Sequence, residues 1–182
     1  SVSAELAGIE TTNGITATHW RLKLGDAWTL PAVELAKGTP LETVLLVGDA
    51  GRKALAADVD KLLADGKRVV AVDPFYFGES RIAQKDFLFA LLVAAVGERP
   101  LGLQASQLGA TARWLSAERK LGPVKLVSIG PRSSVFATVA AALEEKAIGS
   151  LELRQPLGSL RELIEKNGGV NQQPELFCFG LL

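Results

Sequence analysis

The sequence predicts an α/β fold: a mainly parallel sheet flanked by helices, entered through an N-terminal antiparallel hairpin. Three observations predict it. Short apolar runs without alternation recur along the chain, the pattern of strands covered on both faces. Between them lie segments whose apolar residues return at the helical period, each with one stripe to bury. Strand, helix and strand then follow one another with short connections, which gives a parallel sheet through crossover helices.

The hairpin comes first. From Ile15 to Leu24 the chain alternates, with Thr16, Thr18, Trp20, Leu22 and Leu24 on one face and Ile15, Ala17, His19, Arg21 and Lys23 on the other. A Gly25-Asp26 turn leads back through Trp28 to Leu35, and Lys37 to Pro40 ends the pair. Thr43 to Val47 and Arg68 to Val72 are the first core strands, followed by Val124 to Ile129 and, in weaker form, Ile148 to Leu153. Leu55, Val59, Leu62 and Leu63 make a helical stripe stopped by Asp65-Gly66. Leu101, Ala105, Leu108, Ala112 and Leu115 make a second, and Val135, Phe136, Val139, Ala140 and Leu143 a third. Leu160, Leu163 and Ile164 form a short fourth. The segment Asp86 to Val96 is apolar nearly all round, which predicts that it is buried or covers something. Pro174 to Leu182 closes the chain as an apolar, Pro-bearing loop.

Composition narrows the chemistry. The 182 residues suffice for one sizeable core, and 20 basic residues offset 20 acidic ones, which speaks against disorder and against nucleic acid as a partner. With one His, one Cys and no Met, neither an internal disulfide nor a Cys/His zinc cluster can form, and no metal or other cofactor is expected. Cys178, between Phe177 and Phe179, reads as a buried thiol. The first ten residues carry no secretory signal. The longest apolar run, Phe87 to Val96, is about half of a membrane span, so no membrane partner is expected. A chain without Met is expected to be an incomplete translation product, or one whose methionines were lost from the text. The oligomeric state stays open.

In a parallel sheet, sites gather beyond the carboxyl ends of the strands. Gly48-Asp-Ala-Gly-Arg52 follows the first core strand, and its glycines let backbone N–H groups of Asp49 and Ala50 approach an anionic oxygen; a simple turn into a helix explains them too. No phosphate-binding loop or dinucleotide fingerprint is present. Asp73-Pro-Phe-Tyr-Phe-Gly-Glu-Ser80 follows the second strand, where Phe75, Tyr76 and Phe77 either line a pocket or plug the core. Asp73 either caps that loop or orients a neighbour, and Asp49 with Asp73 would make a meagre Mg²⁺ pair. Gly130-Pro-Arg-Ser-Ser134 follows the third strand and runs into a helix, the layout of a nucleophile elbow. An elbow needs small residues two before and two after its strained apex. Ser133 at the apex is flanked by Pro131 and Val135, and Ser134 by Arg132 and Phe136. Only Arg132 leaves small flanks, Gly130 and Ser134, and a guanidinium is no nucleophile. A helix N-cap formed by Ser133 or Ser134 accounts for the same residues.

These stretches, in this order, resemble the α/β-hydrolase superfamily, and among its members bacterial acetyl xylan esterase-like hydrolases. Leu45 to Gly51 stands where those proteins have an oxyanion-hole loop. Asp73 to Ser80 resembles their Asp-x-x-Gly-x-Gly-x-Ser, with Phe77 in place of the first Gly. Gly97 to Leu115 resembles their long helix with an Arg-Pro-Leu start and a Trp-Leu end, and Val127 to Val135 sits where Gly-Arg-Ser-x-Gly is expected. The resemblance implies that residues 1–182 are one incomplete hydrolase-like domain lacking the last strands, with Ser133 as counterpart of the nucleophile. It further implies an exported location and an acyl ester of a carbohydrate as substrate. That ester would lie among Asp49, Ala50, Phe75, Tyr76, Phe77 and Ser134. The family's acid and His follow strands beyond this chain, and His19, on the polar face of the hairpin, is not expected to replace that His. Two functional expectations follow. One is an esterase-type domain without appreciable turnover in this form; the other is a binding or scaffold module that keeps the hydrolase fold.

Overall fold

Three antiparallel strands open the structure, a computed structural model that describes residues 2–82, 88–169 and 172–176, with only the backbone considered at 88, 90 and 91. They are β1 (Val2–Thr12), β2 (Ile15–Leu24) and β3 (Trp28–Lys37). Then come β4 (Thr43–Gly48), α1 (Ala56–Ala64), β5 (Arg68–Val72), α2 (Leu88–Ala95) and α3 (Pro100–Arg113). The chain ends with β6 (Val124–Ile129), α4 (Pro131–Leu143), β7 (Ile148–Arg154) and α5 (Arg161–Glu165). The seven strands form one sheet in the order β1-β2-β3-β5-β4-β6-β7. Pairing is antiparallel from β1 to β5 and parallel from β5 to β7.

The uninterrupted apolar runs form the centre of the sheet. In β4, Leu45 and Val47 join the core under α3 and α4, while Val44 and Leu46 join the core under α1. In β5, Val70 and Val72 take the first side and Val69 and Ala71 the second. The period-2 geometry of a strand therefore needs apolar residues at every position, which is why no alternation was visible. Each such side chain, fully buried, stabilises the fold by about 1.5–3 kcal/mol.

A polar anchor lies at the opposite end of the sheet from the loops that follow the parallel strands. Buried Glu34 of β3 accepts hydrogen bonds from Trp20 Nε1 at 3.0 Å and from the Arg119 guanidinium at 2.9 and 3.3 Å. Arg68 pairs with the same carboxylate at 3.1 Å. The Arg119 guanidinium lies 5.1 Å from the Trp20 ring and 5.3 Å from that of Trp114. The carboxylate is thus surrounded by donors, which a buried charge requires.

Several expectations need correction. The expected hairpin forms as β2 and β3, and β1, which the expectation lacked, extends it to a three-stranded meander by pairing with β2, with an irregularity between Leu6 and Gly8. Most of β1 is exposed, so it has no buried face and left no alternation to read. The apolar segment at α2 is not buried throughout: Phe89 is, but Leu92 is 67% exposed and Val96 76%. Asp86 and Phe87 lie outside the described residues. Leu143 and Ile164 also face solvent, since each sits at the end of its helix beyond the reach of the sheet. Cys178 and most of the closing loop fall outside the described residues.

Candidate functional site

The loops beyond β4, β5 and β6 meet above the sheet, and two aspartates knit them together. The Asp49 carboxylate accepts the backbone N–H of Arg132 at 3.0 Å and that of Ser133 at 2.7 Å. It thereby caps the first turn of α4 from another loop, with an anion placed at the positive end of the helix. Gly130 permits this: its φ is +116°, and a Cβ there would lie 2.4 Å from Asp49 Cγ.

Asp73 does the same for the β5 loop. Only 1% exposed, it accepts the Arg52 N–H and the Arg52 guanidinium, each at 2.7 Å, and the Glu79 N–H at 3.1 Å. A Cβ on Gly78, whose φ is +48°, would fall 2.2–2.4 Å from that carboxylate. Arg52 reaches on to Glu79 at 2.5 Å, and Lys53 pairs with the same Glu79 at 2.8 Å. Lys53 foremost, with Arg52, holds the Glu79 carboxyl below its usual range.

The turn at β6 differs from a nucleophile elbow. Pro131 is the first residue of α4, so the helix begins directly after Gly130. Arg132 is not among the residues with positive φ, and the strained apex is absent. The side chain of Arg132 instead reaches the 3-10 turn Pro174–Leu176, where Nε lies 3.1 Å from Glu175 Oε2 and Nη2 contacts Oε1. Glu175 is 1% exposed, and the Arg132 guanidinium stands 4.7 Å above the Phe77 ring.

The sequence-expected site residues fall as follows. Ser133 is fully buried and donates its hydroxyl to Ile129 O at 3.1 Å, with Gly130 O at 3.4 Å. Ser134, also buried, donates to Pro131 O at 2.8 Å and accepts the Leu157 N–H at 3.1 Å. Neither serine caps α4 from its own sequence, because both lie inside the first turn and the cap comes from Asp49. The N–H of Asp49 is bound to Ile129 O at 3.0 Å, while Ala50 is exposed. Tyr76 and Phe77 are buried, Tyr76 stacked on Phe89 at 3.6 Å and Phe77 edge-on to Phe136 at 5.1 Å. They plug the core. Phe75 alone of the three faces a crevice, of about 560 Å³, shared with Trp28, Pro31, Arg52, Glu79 and Gln107. Its ring meets Trp28 at 5.0 Å. The crevice opens towards the N-terminal meander, not towards α4.

His19 stands half-exposed on β2, 3.8 Å from Glu10, with β3, β5 and β4 between it and β6. Asp49 and Asp73 are each engaged by protein donors, and among the described residues no group of three or more acidic, His or Cys side chains could hold a metal ion. Sequence reasoning missed Glu175, Arg52 and the glutamines of α3. Buried Gln107 accepts the Phe75 N–H at 2.6 Å, and buried Gln104 donates to Phe75 O at 3.1 Å. Their signal was a pair of amides next to a helix stripe otherwise apolar. For Glu175 it was a lone carboxylate in an apolar stretch, which has to find a cation.

No family model and no curated protein matches this chain. Solved structures do. One from Bacteroides fragilis NCTC 9343, assigned as an acetyl xylan esterase, superposes with a TM-score of 0.70 at 13% identity, over 82% of this chain and 47% of that one. A cold-adapted esterase from an Arctic intertidal metagenomic library gives 0.59 at 17% identity, over 83% and 63%. A dienelactone hydrolase from Anabaena variabilis gives 0.53 at 17%, over 77% and 64%. The chain has the α/β-hydrolase fold. Its resemblance to acetyl xylan esterase-like hydrolases, read from the motifs, is met in three dimensions, although it spans only 47–64% of these three proteins. Fold likeness at such identity leaves activity to the site itself.

Proposed function

We propose that this chain is an α/β-hydrolase-fold domain without ester turnover, a binding module built on an esterase scaffold. The observation that carries this reading is the Asp49 carboxylate on the Arg132 and Ser133 N–H groups. In a hydrolase the backbone N–H of the residue after the elbow apex helps to stabilise the oxyanion of the tetrahedral intermediate; after Arg132, the apex position with small flanks, that is the Ser133 N–H. A carboxylate seated on it blocks that oxyanion and would repel its charge. The Ser133 hydroxyl adds support, since it is buried and donates to Ile129 O, and among the described residues no side-chain base accepts its proton.

The rival reading is an esterase acting on an acyl ester of a carbohydrate. It has in its favour the likeness to the structure assigned as an acetyl xylan esterase. It would take Ser133 as nucleophile and would require the first turn of α4 to unwind so that Ser133 emerges and Asp49 leaves.

A fluorophosphonate probe separates the two. It is applied to this chain and to any longer natural form that carries it, alongside hydrolysis of p-nitrophenyl acetate and acetylated xylo-oligosaccharides. The expected result is no adduct at Ser133 and no hydrolysis above that of the Ser133→Ala variant. Stoichiometric labelling of Ser133 would overturn the proposal.

A further inference from the structure

We infer that the former elbow is a carboxylate-binding site, built on the Arg132 guanidinium and filled within this chain by its own Glu175. Both oxygens of Glu175 meet Arg132, one through Nε at 3.1 Å and one through Nη2, a fork that matches a carboxylate in plane and spacing. The guanidinium is backed by the Phe77 ring at 4.7 Å, which leaves its edge as the face that reads an anion. The neighbouring carboxylate Asp49 does not compete for that edge, because its oxygens are spent on the Arg132 and Ser133 N–H groups. Arg132 keeps 20% of its side chain open to solvent even with Glu175 in place, so a ligand has an approach.

The segment that brings Glu175 docks through the buried residues Pro174, Glu175 and Leu176. Among the described residues its backbone hydrogen bonds run from Gln172 N to Gly169 O and from Leu176 N to Gln173 O. It follows the Gly168-Gly169 pair, after a turn closed by Gly168 N on Leu163 O. Gln173 Oε1 is buried there without a hydrogen-bond partner, so the docked state is not fully satisfied. Glu175 thus acts as a tethered ligand, whose effective concentration is of the order of millimolar for a short linker. A carboxylate from outside gains the site when it exceeds that level or when the segment is drawn away. The ligand class is a carboxylate, either a free small acid or an acidic side chain on a short peptide.

This inference rests on the reading of a turnover-free elbow, but its test reads binding where the other reads covalent labelling. Glu175→Gln is titrated with succinate and, separately, with the peptide acetyl-Gln-Gln-Pro-Glu-Leu-amide, by calorimetry. Succinate and peptide report the two sources of the carboxylate. At least one is expected to bind Glu175→Gln about tenfold or more tighter than the unaltered chain. That gain should vanish in Glu175→Gln combined with Arg132→Gln. Equal binding to the unaltered chain, no binding of either probe, or binding that survives loss of Arg132 would overturn the inference. Should Glu175→Gln not fold, the unaltered chain supplies the measurement. Excess succinate is then expected to speed amide hydrogen exchange at Glu175 and Leu176, and an unchanged rate overturns the inference.

Discussion

The Asp49 carboxylate accepts the N–H of Ser133 at 2.7 Å, so the loop after β4 caps the helix that begins after β6. The two residues lie 84 positions apart in the chain. Removing the cap leaves two N–H groups at the start of α4 without their partner. Asp49→Ala is expected to destabilise the fold by about 1–3 kcal/mol in urea unfolding. The vacated helix start should then accept an anion, so sulfate ought to raise the melting temperature of Asp49→Ala more than that of the unaltered chain. Equal shifts would argue against the cap.

Gly130 and Asp49 are coupled through space. Gly130→Ala places a methyl group 2.4 Å from Asp49 Cγ and puts an L side chain at a φ of +116°. Both effects destabilise, together by about 2 kcal/mol or more. In a double-mutant cycle, Asp49→Ala should relieve the steric part and leave the backbone part. The two substitutions together would therefore cost less than their sum.

Glu34 should be the more sensitive anchor. Its carboxylate faces Arg119 at 2.9 Å, Arg68 at 3.1 Å and the Trp20 indole at 3.0 Å. Glu34→Gln leaves two arginines beside a neutral amide, with an expected loss of about 3–5 kcal/mol. A companion change, Glu34→Asp, keeps the charge but shortens the reach and should lose less. Denaturant midpoints measured side by side decide it.

Acid should weaken the β6–β7 edge. The Lys125 ammonium, with Arg154 next, holds Glu152 at about 2, against an ordinary 4.5. A carboxylate depressed on folding stabilises the native state above its unfolded value and loses that contribution as pH falls from 4.5 towards 2. The group is partly exposed, so the effect is about 0.2–1 kcal/mol after solvent screening. Glu152→Gln should therefore lower stability at pH 7 and flatten its fall below pH 4.5, which thermal unfolding across that range would register.

The helical stripes and core strands were legible because each is a local pattern with one physical cause. Leu55, Val59, Leu62 and Leu63 repeat at the helical period, and all four are buried against the sheet. Val69 to Val72 show apolar residues in sequence because both faces of β5 are covered. β1 was not legible, since its stability comes from pairing with β2 and almost none of it from burial. At the candidate site, motif order pointed to the three loops that meet above the sheet, and Arg132, weighed there as an elbow apex, is the residue whose side chain reaches Glu175. The roles inside those loops were hidden. Asp49, weighed for its backbone N–H and as half of a Mg²⁺ pair, turns its carboxylate on the start of α4, and of the two readings of Tyr76 and Phe77, pocket lining or plug, the buried side chains match the plug.

By itself the sequence determined the class of fold, the order of the elements after β1 and the poverty of its catalytic inventory, since periodicity and residue type act locally. Tertiary structure alone decided what the site residues do. Whether Asp49 points an N–H or a carboxylate at α4, whether Ser133 emerges or sinks, and which carboxylate Arg132 holds all depend on contacts between loops far apart in the chain. No local pattern encodes such contacts, because their geometry exists only once the sheet has brought the strand ends together.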